Sequence, residues 1–183
     1  MNQNSRNIKK RISPARIIAL VGIMAATLEC GKLALSFLPN IEAVTLLTAL
    51  YGYTFGVYGV LASLVFVSIE PVIYGFGTWV VSYYIYWPFV AIVFTILSKA
   101  KVKNRFILTG AALLLTVWFG ALTTLVDIGL LSGFFDDFWY RFGIYYMRGV
   151  PFYAAQIISN AVLFPLLFKY IAKKLELLKR TFI

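Results

Sequence analysis

The chain has 183 residues, of which 61% are hydrophobic and only 13% are charged, and its formal net charge is +10. A soluble domain of this length needs more charge to cover its surface, so the composition favours a membrane protein and leaves no room for a second, soluble domain. The sequence has no histidine, the usual general base and metal ligand. Its one cysteine, Cys30, excludes an internal disulfide, and we expect its thiol to be buried.

Apolar runs divide the chain into six segments that predict membrane-spanning helices at about 20 residues per crossing. The predicted spans of this single membrane domain, residues 1–183, are residues 12–37, 43–55, 57–74, 78–97, 106–131 and 150–171. The second span is short, and Gly52, Gly56 and Gly59 predict a tight turn after it. The polar and aromatic segment 132–148 predicts a loop with room for a short interfacial helix. The apolar stretch after the basic N-terminus is too long for a signal peptide, so we expect it to be retained as the first span.

Basic residues indicate the orientation of these spans. Three segments, residues 6–16, 99–105 and 169–180, hold all but three of the 17 lysines and arginines. With six spans all three segments lie on one side of the membrane, which the positive-inside rule makes the cytoplasm. The sequence therefore predicts an all-α bundle of six transmembrane helices with both termini inside.

All the remaining charged residues except Glu176 fall near the outer ends of the spans or in the outer loops, with several aromatic and amide side chains. The candidate site residues in this outer region are Glu29, Lys32, Glu42, Glu70, Trp79, Tyr83, Asp127, Arg148, Tyr153, Gln156 and Asn160. Ionisable groups inside a membrane need a partner or a water-filled cavity, so their convergence predicts a polar outer cavity that binds a small molecule. Three alternatives stay open. Glu29 and Lys32, three residues apart, would form a structural ion pair; the aromatic residues would form an interface belt; and Gln156 and Asn160 would form interhelical hydrogen bonds.

The first span also carries small residues at helical spacing on its inner half: Ala15, Ala19, Gly22 and Ala26. Such a stripe lets another helix approach closely, and that helix belongs either to a partner or to the same chain. Enzyme motifs are absent: the sequence has no G-x-S-x-G, H-E-x-x-H, P-loop or C-x-x-C pattern. We therefore predict no catalytic residue, no metal ligand and no cofactor.

The chain resembles the substrate-binding S components of energy-coupling factor (ECF) vitamin transporters over nearly its whole length. The resemblance rests on the size, the six spans with both termini inside, the small-residue stripe and the outer polar site. Several segments resemble one branch of that family: residues 35–47, 74–79, 149–153, 159–160 and 163–165. The resemblance implies a multi-pass protein of a prokaryotic plasma membrane, with the S-component fold and with no enzymatic activity and no nucleic-acid partner.

In that family the S component captures a water-soluble vitamin from outside, docks on a membrane coupling protein bound to two cytoplasmic ATPases, and topples to open its site inward. The resemblance implies docking through Ala15 and Ala19. Arg16 departs from the family's apolar motif, which shifts the expected contact toward Ala19, Gly22 and Ala26. It implies ligand contacts from Asn40, Glu42, Trp79, Tyr83, Asp127, Gln156 and Asn160.

Cobalamin is the expected ligand, because many hydrogen-bonding and aromatic groups suit a large, amide-rich and nearly neutral molecule. Pyridoxine or hydroxymethylpyrimidine, pantothenate and a queuosine precursor are the alternatives. Three other functions compete with vitamin capture: a self-sufficient small carrier, an intramembrane enzyme using Glu29, Glu70 or Asp127, and a non-catalytic scaffold.

Overall fold

A computed structural model describes residues 13–38 and 41–182, with side chains through residue 180, and is helical without any strand in those ranges. The helices are α1 (Pro14–Ala34), α2 (Val44–Phe55), α3 (Val57–Tyr74), α4 (Thr78–Lys99), α5 (Arg105–Leu131), α6 (Phe138–Leu163) and α7 (Lys169–Phe182), with a π-helical turn at Phe164–Phe168 between the last two. Five segments are long and apolar enough to cross a membrane: α1, α3, α4, α5 and the continuous rod from Phe138 to Arg180. The chain is therefore built as a multi-pass membrane protein, with α2 as a shorter apolar helix.

Helix α1 lies at the edge of the bundle and packs mainly on α3. Ser13 caps its N-terminus by accepting a hydrogen bond from the Arg16 backbone, and Pro14 occupies the first turn, where it costs no hydrogen bond. Leu20, Met24 and Leu28 are buried on one face. The opposite face is exposed, and it contains the predicted stripe of Ala15, Ala19, Gly22 and Ala26. The stripe therefore does not pack against the rest of the described chain, and a Cβ added at Gly22 meets no atom within 4 Å.

Cys30 lies on the same exposed face of α1, so the prediction of a buried thiol is wrong. An apolar run cannot distinguish a residue that faces neighbouring helices from one that faces hydrocarbon. The predicted end of the first span at residue 37 is also late, because the helix ends at Ala34 and gives way to a turn.

Helix α2 sits in the middle of the bundle, and ten of its residues are buried. It approaches α4 so closely that a Cβ on Gly52 would lie 2.2 Å from the Ala91 carbonyl oxygen. The Thr95 hydroxyl donates to the Gly52 carbonyl oxygen at 2.9 Å across the same contact. Gly56, with φ of 61°, breaks the chain between α2 and α3, which confirms the predicted turn.

Helix α6 begins at Phe138, twelve residues before the predicted start at residue 150, so most of the predicted loop is helical. Phe138, Phe142 and Tyr146 follow one another at four-residue spacing with ring centroids 5.9–6.1 Å apart, which favours a helix. The Arg141 guanidinium donates to the Phe135 carbonyl oxygen and ties down the α5–α6 turn. Pro151 lies inside the helix without ending it. The C-terminal end is also later than predicted, because helix continues beyond residue 171 to Phe182.

The close contact between α2 and α4 yields a test of the fold. Gly52→Ala puts a Cβ against the Ala91 backbone, which has no flexible side chain to move away, so we expect a loss of about 1–3 kcal/mol in the free energy of unfolding. Gly110→Ala is the matched control, because a Cβ there meets no atom within 4 Å. We expect the control to be neutral or slightly stabilising. Unfolding in mixed detergent micelles measures both, and equal stabilities would contradict this packing.

Candidate functional site

Four side chains of α1 and α3 form a charged cluster: Glu29, Lys32, Glu70 and Tyr74. The Lys32 ammonium pairs with Glu70, whose side chain is fully buried while that of Lys32 is 29% exposed. Tyr74 donates a hydrogen bond of 2.9 Å to Glu29 Oε1, and its ring centroid lies 3.9 Å from Lys32 Nζ. Lys32 therefore pairs across helices with Glu70, and the ion pair weighed between Lys32 and Glu29 is absent from the described contacts.

Helix geometry explains how α1 supplies this cluster. Glu29 and Lys32 are three residues apart, so they lie on the same side of α1, toward α3. Glu29 and Glu70 also lie within electrostatic reach of each other. Two carboxylates and one ammonium thus share a small volume between two helices.

A polar chain of five side chains crosses the bundle from the loop before α2 to α6: Glu42, Thr45, Tyr86, Thr116 and Asn160. Thr45 donates to Glu42 Oε1 at 2.8 Å, and Asn160 Nδ2 donates to Thr116 Oγ1 at 3.0 Å. The Tyr86 hydroxyl lies between them, near both Thr45 and Thr116. The chain links α2, α4, α5 and α6.

Glu42 connects this polar chain to the charged cluster. It lies in the loop before α2, and burial raises its pKa from 4.5 to about 7. The Thr45 hydrogen bond and the nearby Lys32 ammonium both lower the pKa of Glu42, but burial outweighs them. Glu42 therefore changes protonation near neutral pH.

Aromatic rings of α4, α5 and α6 pack in a row beside these polar groups. Tyr83 contacts Trp79 on one side and Trp87 on the other, at centroid distances of 5.1 and 5.7 Å. Phe119 of α5 continues the row to Tyr153 of α6 at 6.4 Å. The Tyr153 hydroxyl shares a hydrogen bond of 3.1 Å with Thr123. The aromatic row thus runs along the same helices as the polar chain.

The structure brings most of the predicted site residues together. Glu29, Lys32, Glu42, Glu70 and Tyr83 share one neighbourhood. The polar chain joins Asn160 to this neighbourhood, and the aromatic row joins Trp79 and Tyr153 to it.

Of the other predicted residues, Asp127 and Arg148 make their contacts elsewhere. Asp127 accepts a hydrogen bond from Thr78 and ties α5 to the start of α4. Arg148 is exposed, with its guanidinium 5.8 Å from the Tyr145 ring centroid, so it does not reach the charged cluster. Gln156 is half-buried on α6. Asn40 lies outside the described residues.

Sequence reasoning missed several polar members of the site. Thr116 looks like an ordinary helical threonine, because its hydroxyl also donates to the carbonyl oxygen of Ala112 four residues earlier. Tyr74 stands at the end of a span, where it resembles an interface residue. Its role depends on contact with α1, and the sequence of α3 alone gives no signal of that contact.

Several buried polar atoms at this site have no hydrogen-bond partner within the described parts of the chain. They are Glu29 Oε2, Glu70 Oε1, Ser82 Oγ, Trp87 Nε1 and Asn160 Oδ1, and the carboxyl groups of Glu29 and Glu70 lie within hydrogen-bonding reach of each other. Each unpaired buried polar group costs roughly 1–3 kcal/mol, so each requires an explanation, such as a bound water, an ion or a ligand. These atoms include both acceptors and donors, as a hydrogen-bonding ligand requires.

The pairing of Lys32 with Glu70 yields a second test. Lys32→Met leaves the fully buried Glu70 without its cation, and we expect a loss of about 3–5 kcal/mol in the free energy of unfolding. The double variant Lys32→Met with Glu70→Gln should lose much less than the two single variants summed. Arg148→Met is the control, with a loss below about 1 kcal/mol because this arginine is exposed. Unfolding in mixed micelles measures all four, and additive losses would contradict the ion pair.

No protein-family model, curated protein or solved structure matches this chain. Its function is therefore inferred from its own residues: an all-helical bundle with spans that suit a membrane, and buried polar groups from α1 to α6 that meet beside an aromatic row.

Proposed function

We propose that the chain is the substrate-binding S component of an ECF-type transporter and captures a water-soluble vitamin from outside the cell. One observation carries the proposal: α1, α3, α4 and α6 each contribute a buried polar atom without a partner in the described chain, and these atoms belong to the charged cluster, the aromatic row and the polar chain. A bundle that only fills a membrane has no need of them, because each one costs stability. A polar ligand with several donors and acceptors would supply the missing hydrogen bonds.

The proposal includes six spans with both termini in the cytoplasm. Helix α2, with 12 residues, covers only about 18 Å at 1.5 Å per residue, whereas the hydrocarbon core is about 30 Å thick. Its burial inside the bundle favours a short span, because other helices rather than lipid surround it. The rod of α6 and α7 serves as the sixth span. The basic segments then lie together on the cytoplasmic side.

Charge at the site narrows the class of ligand. Glu29, Glu42 and Glu70 meet a single ammonium, that of Lys32, and Glu70 already engages it. A small anion such as pantothenate would need a free cation, so this arrangement disfavours it. An amide-rich, nearly neutral molecule suits the mixed donors and acceptors, and we propose cobalamin. Pyridoxine, hydroxymethylpyrimidine and a queuosine precursor are the alternatives.

The exposed stripe of α1 supports docking on a partner. Ala15, Ala19, Gly22 and Ala26 present small side chains outward, and small residues let a partner helix approach closely. The proposed partners are the membrane coupling protein and its two cytoplasmic ATPases, which would supply the energy for uptake.

A self-sufficient carrier coupled to protons is the second candidate. Three carboxylates gather around one lysine, and Glu42 has a pKa of about 7, as a group that takes up and releases protons requires. Transport by the purified chain alone in liposomes, abolished by a protonophore, would favour this candidate over an S component.

Affinity purification tests the assignment of partners. We expect the tagged chain, extracted from its native membranes in mild detergent, to bring down one membrane coupling protein and two ATPase subunits, identified by mass spectrometry. Ala19→Leu should weaken their recovery, because a bulky side chain separates the two helices. Leu64→Ile is the control, on an exposed face of α3. A chain recovered repeatedly without ATPases would contradict the S-component assignment.

Ligand binding tests the site itself. We expect the purified wild-type chain to bind cobalamin in isothermal titration calorimetry, and Glu29→Gln and Asn160→Leu to weaken binding at least tenfold while the protein stays folded. Tyr84→Phe is the control, because Tyr84 is exposed and donates to Ser68 away from the site. Pyridoxine and pantothenate are titrated in parallel. Unchanged affinity in both site variants would show that the site is wrong, and binding of none of the vitamins would contradict vitamin capture.

A further inference from the structure

A cleft of about 750 Å³ opens at the end of the bundle where α4 turns into α5. The α4–α5 loop forms one wall, and one face of α7 forms the other. The charged groups that line it are Lys101, Lys103, Lys169, Lys173, Arg180 and Glu176. Five cations thus surround one carboxylate in a concave space, and a concave surface concentrates their field.

The five cations are available to a ligand. All five residues are exposed, and the ion pair found within the described residues, Lys32 with Glu70, involves none of them. The neighbouring Lys174 does not line the cleft, and its ammonium lies 5.8 Å from the Tyr170 ring centroid. Lys173 and Lys174 therefore have the same charge and the same side-chain length and lie on the same helix, but only Lys173 lines the cleft.

The floor of the cleft is apolar. Leu108 and Phe168 are 2% exposed and Ala172 is 8% exposed. Tyr53 packs edge-on against Phe168 at 5.4 Å and donates a hydrogen bond of 2.8 Å to the Val102 carbonyl oxygen, which holds the α4–α5 loop in place. The cleft therefore offers cations at its rim and hydrocarbon below, the same division that a phospholipid has between headgroup and chains.

The backbone at Lys101 provides a separate observation. Its φ of 56° places it in the left-handed region, at the position after α4 where a Schellman motif usually has glycine. The hydrogen bond from the Val102 N–H to the Leu97 carbonyl oxygen, 3.0 Å, completes the motif. A lysine in this conformation is strained relative to glycine, so the fold does not explain its presence. Its ammonium lines the cleft.

We propose that this cleft binds a phospholipid whose headgroup carries two phosphates, as cardiolipin does. Helix ends place the cleft at the level of the lipid headgroups for a chain that spans the bilayer. Basic pockets between helices at that level bind such headgroups. The excess of cations over the single carboxylate matches two phosphates better than one. The binding goes beyond vitamin capture and does not depend on it.

Lipid titration by native mass spectrometry of the full chain in detergent tests the proposal. We expect tetraoleoyl cardiolipin to bind at least tenfold more tightly than dioleoyl phosphatidylglycerol, and dioleoyl phosphatidylcholine to bind more weakly than both. Lys173→Gln should weaken cardiolipin binding about fivefold, as expected for one interfacial cation. Lys174→Gln, its matched control, should stay within twofold of the wild type. An equal loss of cardiolipin affinity in the two variants would show that the lipid responds to general surface charge and not to the cleft, and would overturn the proposal.

Lys101→Gly separates binding from folding. Glycine relieves the left-handed strain, so we expect the melting temperature to stay or rise while cardiolipin binding weakens about fivefold. Unchanged cardiolipin binding in this variant would show that the α4–α5 loop does not contribute to the site, and would overturn the proposal.

Competition identifies the source of the phosphates. We expect inorganic pyrophosphate to leave cardiolipin bound at concentrations a hundredfold above that of the lipid. Displacement by pyrophosphate would indicate a site for a soluble phosphate compound and overturn the lipid assignment. A third outcome is that an acidic protein copurifies with the wild-type chain and not with Lys173→Gln, while the chain shows no preference among lipids. That outcome would indicate a protein interface and overturn the lipid assignment as well.

Discussion

The ion pair between Lys32 and Glu70 is the constraint on which the arrangement of α1 depends. A fully buried carboxylate in an apolar bundle is costly to ionise without a cation, and α1 packs on little besides α3. Together with the buried apolar face of Leu20, Met24 and Leu28, the pair therefore fixes how far along α3 and in which rotation α1 sits. That rotation turns Glu29 toward Tyr74, and it turns the stripe of small residues away from the bundle. The rotation of α1 thus determines which face meets the site and which faces outward.

The contact between α2 and α4 positions the other half of the site. Because Gly52 lets the two backbones nearly touch, Thr45 of α2 comes within reach of Tyr86 of α4. Tyr86 in turn lies near Thr116, which accepts from Asn160. Asn160 is the one fully buried residue of α6, and its hydrogen bond to Thr116 adds to the partly buried contacts of this helix, such as that of Tyr153 with Phe119. Such a polar contact is easier to exchange for a ligand than a packed apolar face, since its atoms already form hydrogen bonds.

Sequence reasoning predicted what depends on local patterns. Helix α3 has the predicted bounds of 57 and 74, because glycines interrupt the apolar run at both ends. It failed where tertiary contact decides. The polar and aromatic segment 132–148 suggested a loop, but α6 begins at Phe138, and aromatic contacts one turn apart favour a helix there. The spacing of Glu29 and Lys32 suggested a local pair, whereas the actual partner lies 38 residues away on another helix. The sequence could not give the partners of the polar residues, because these partners lie on other helices.

Helix α1 has two faces with different chemistry. Under the proposed function, this arrangement couples ligand binding at one face to docking of a partner at the other. The inward face holds Glu29 and Lys32, and the outward face holds the small-residue stripe. Because Lys32 of α1 pairs with Glu70 of α3, a ligand that forms hydrogen bonds with Glu70 or Glu29 changes one of the restraints on the helix. Under the proposed function, occupancy of the site and the position of the docking face are then coupled through one rigid helix. No separate relay through the core is required, because the two faces are less than one helix diameter apart, about 10 Å.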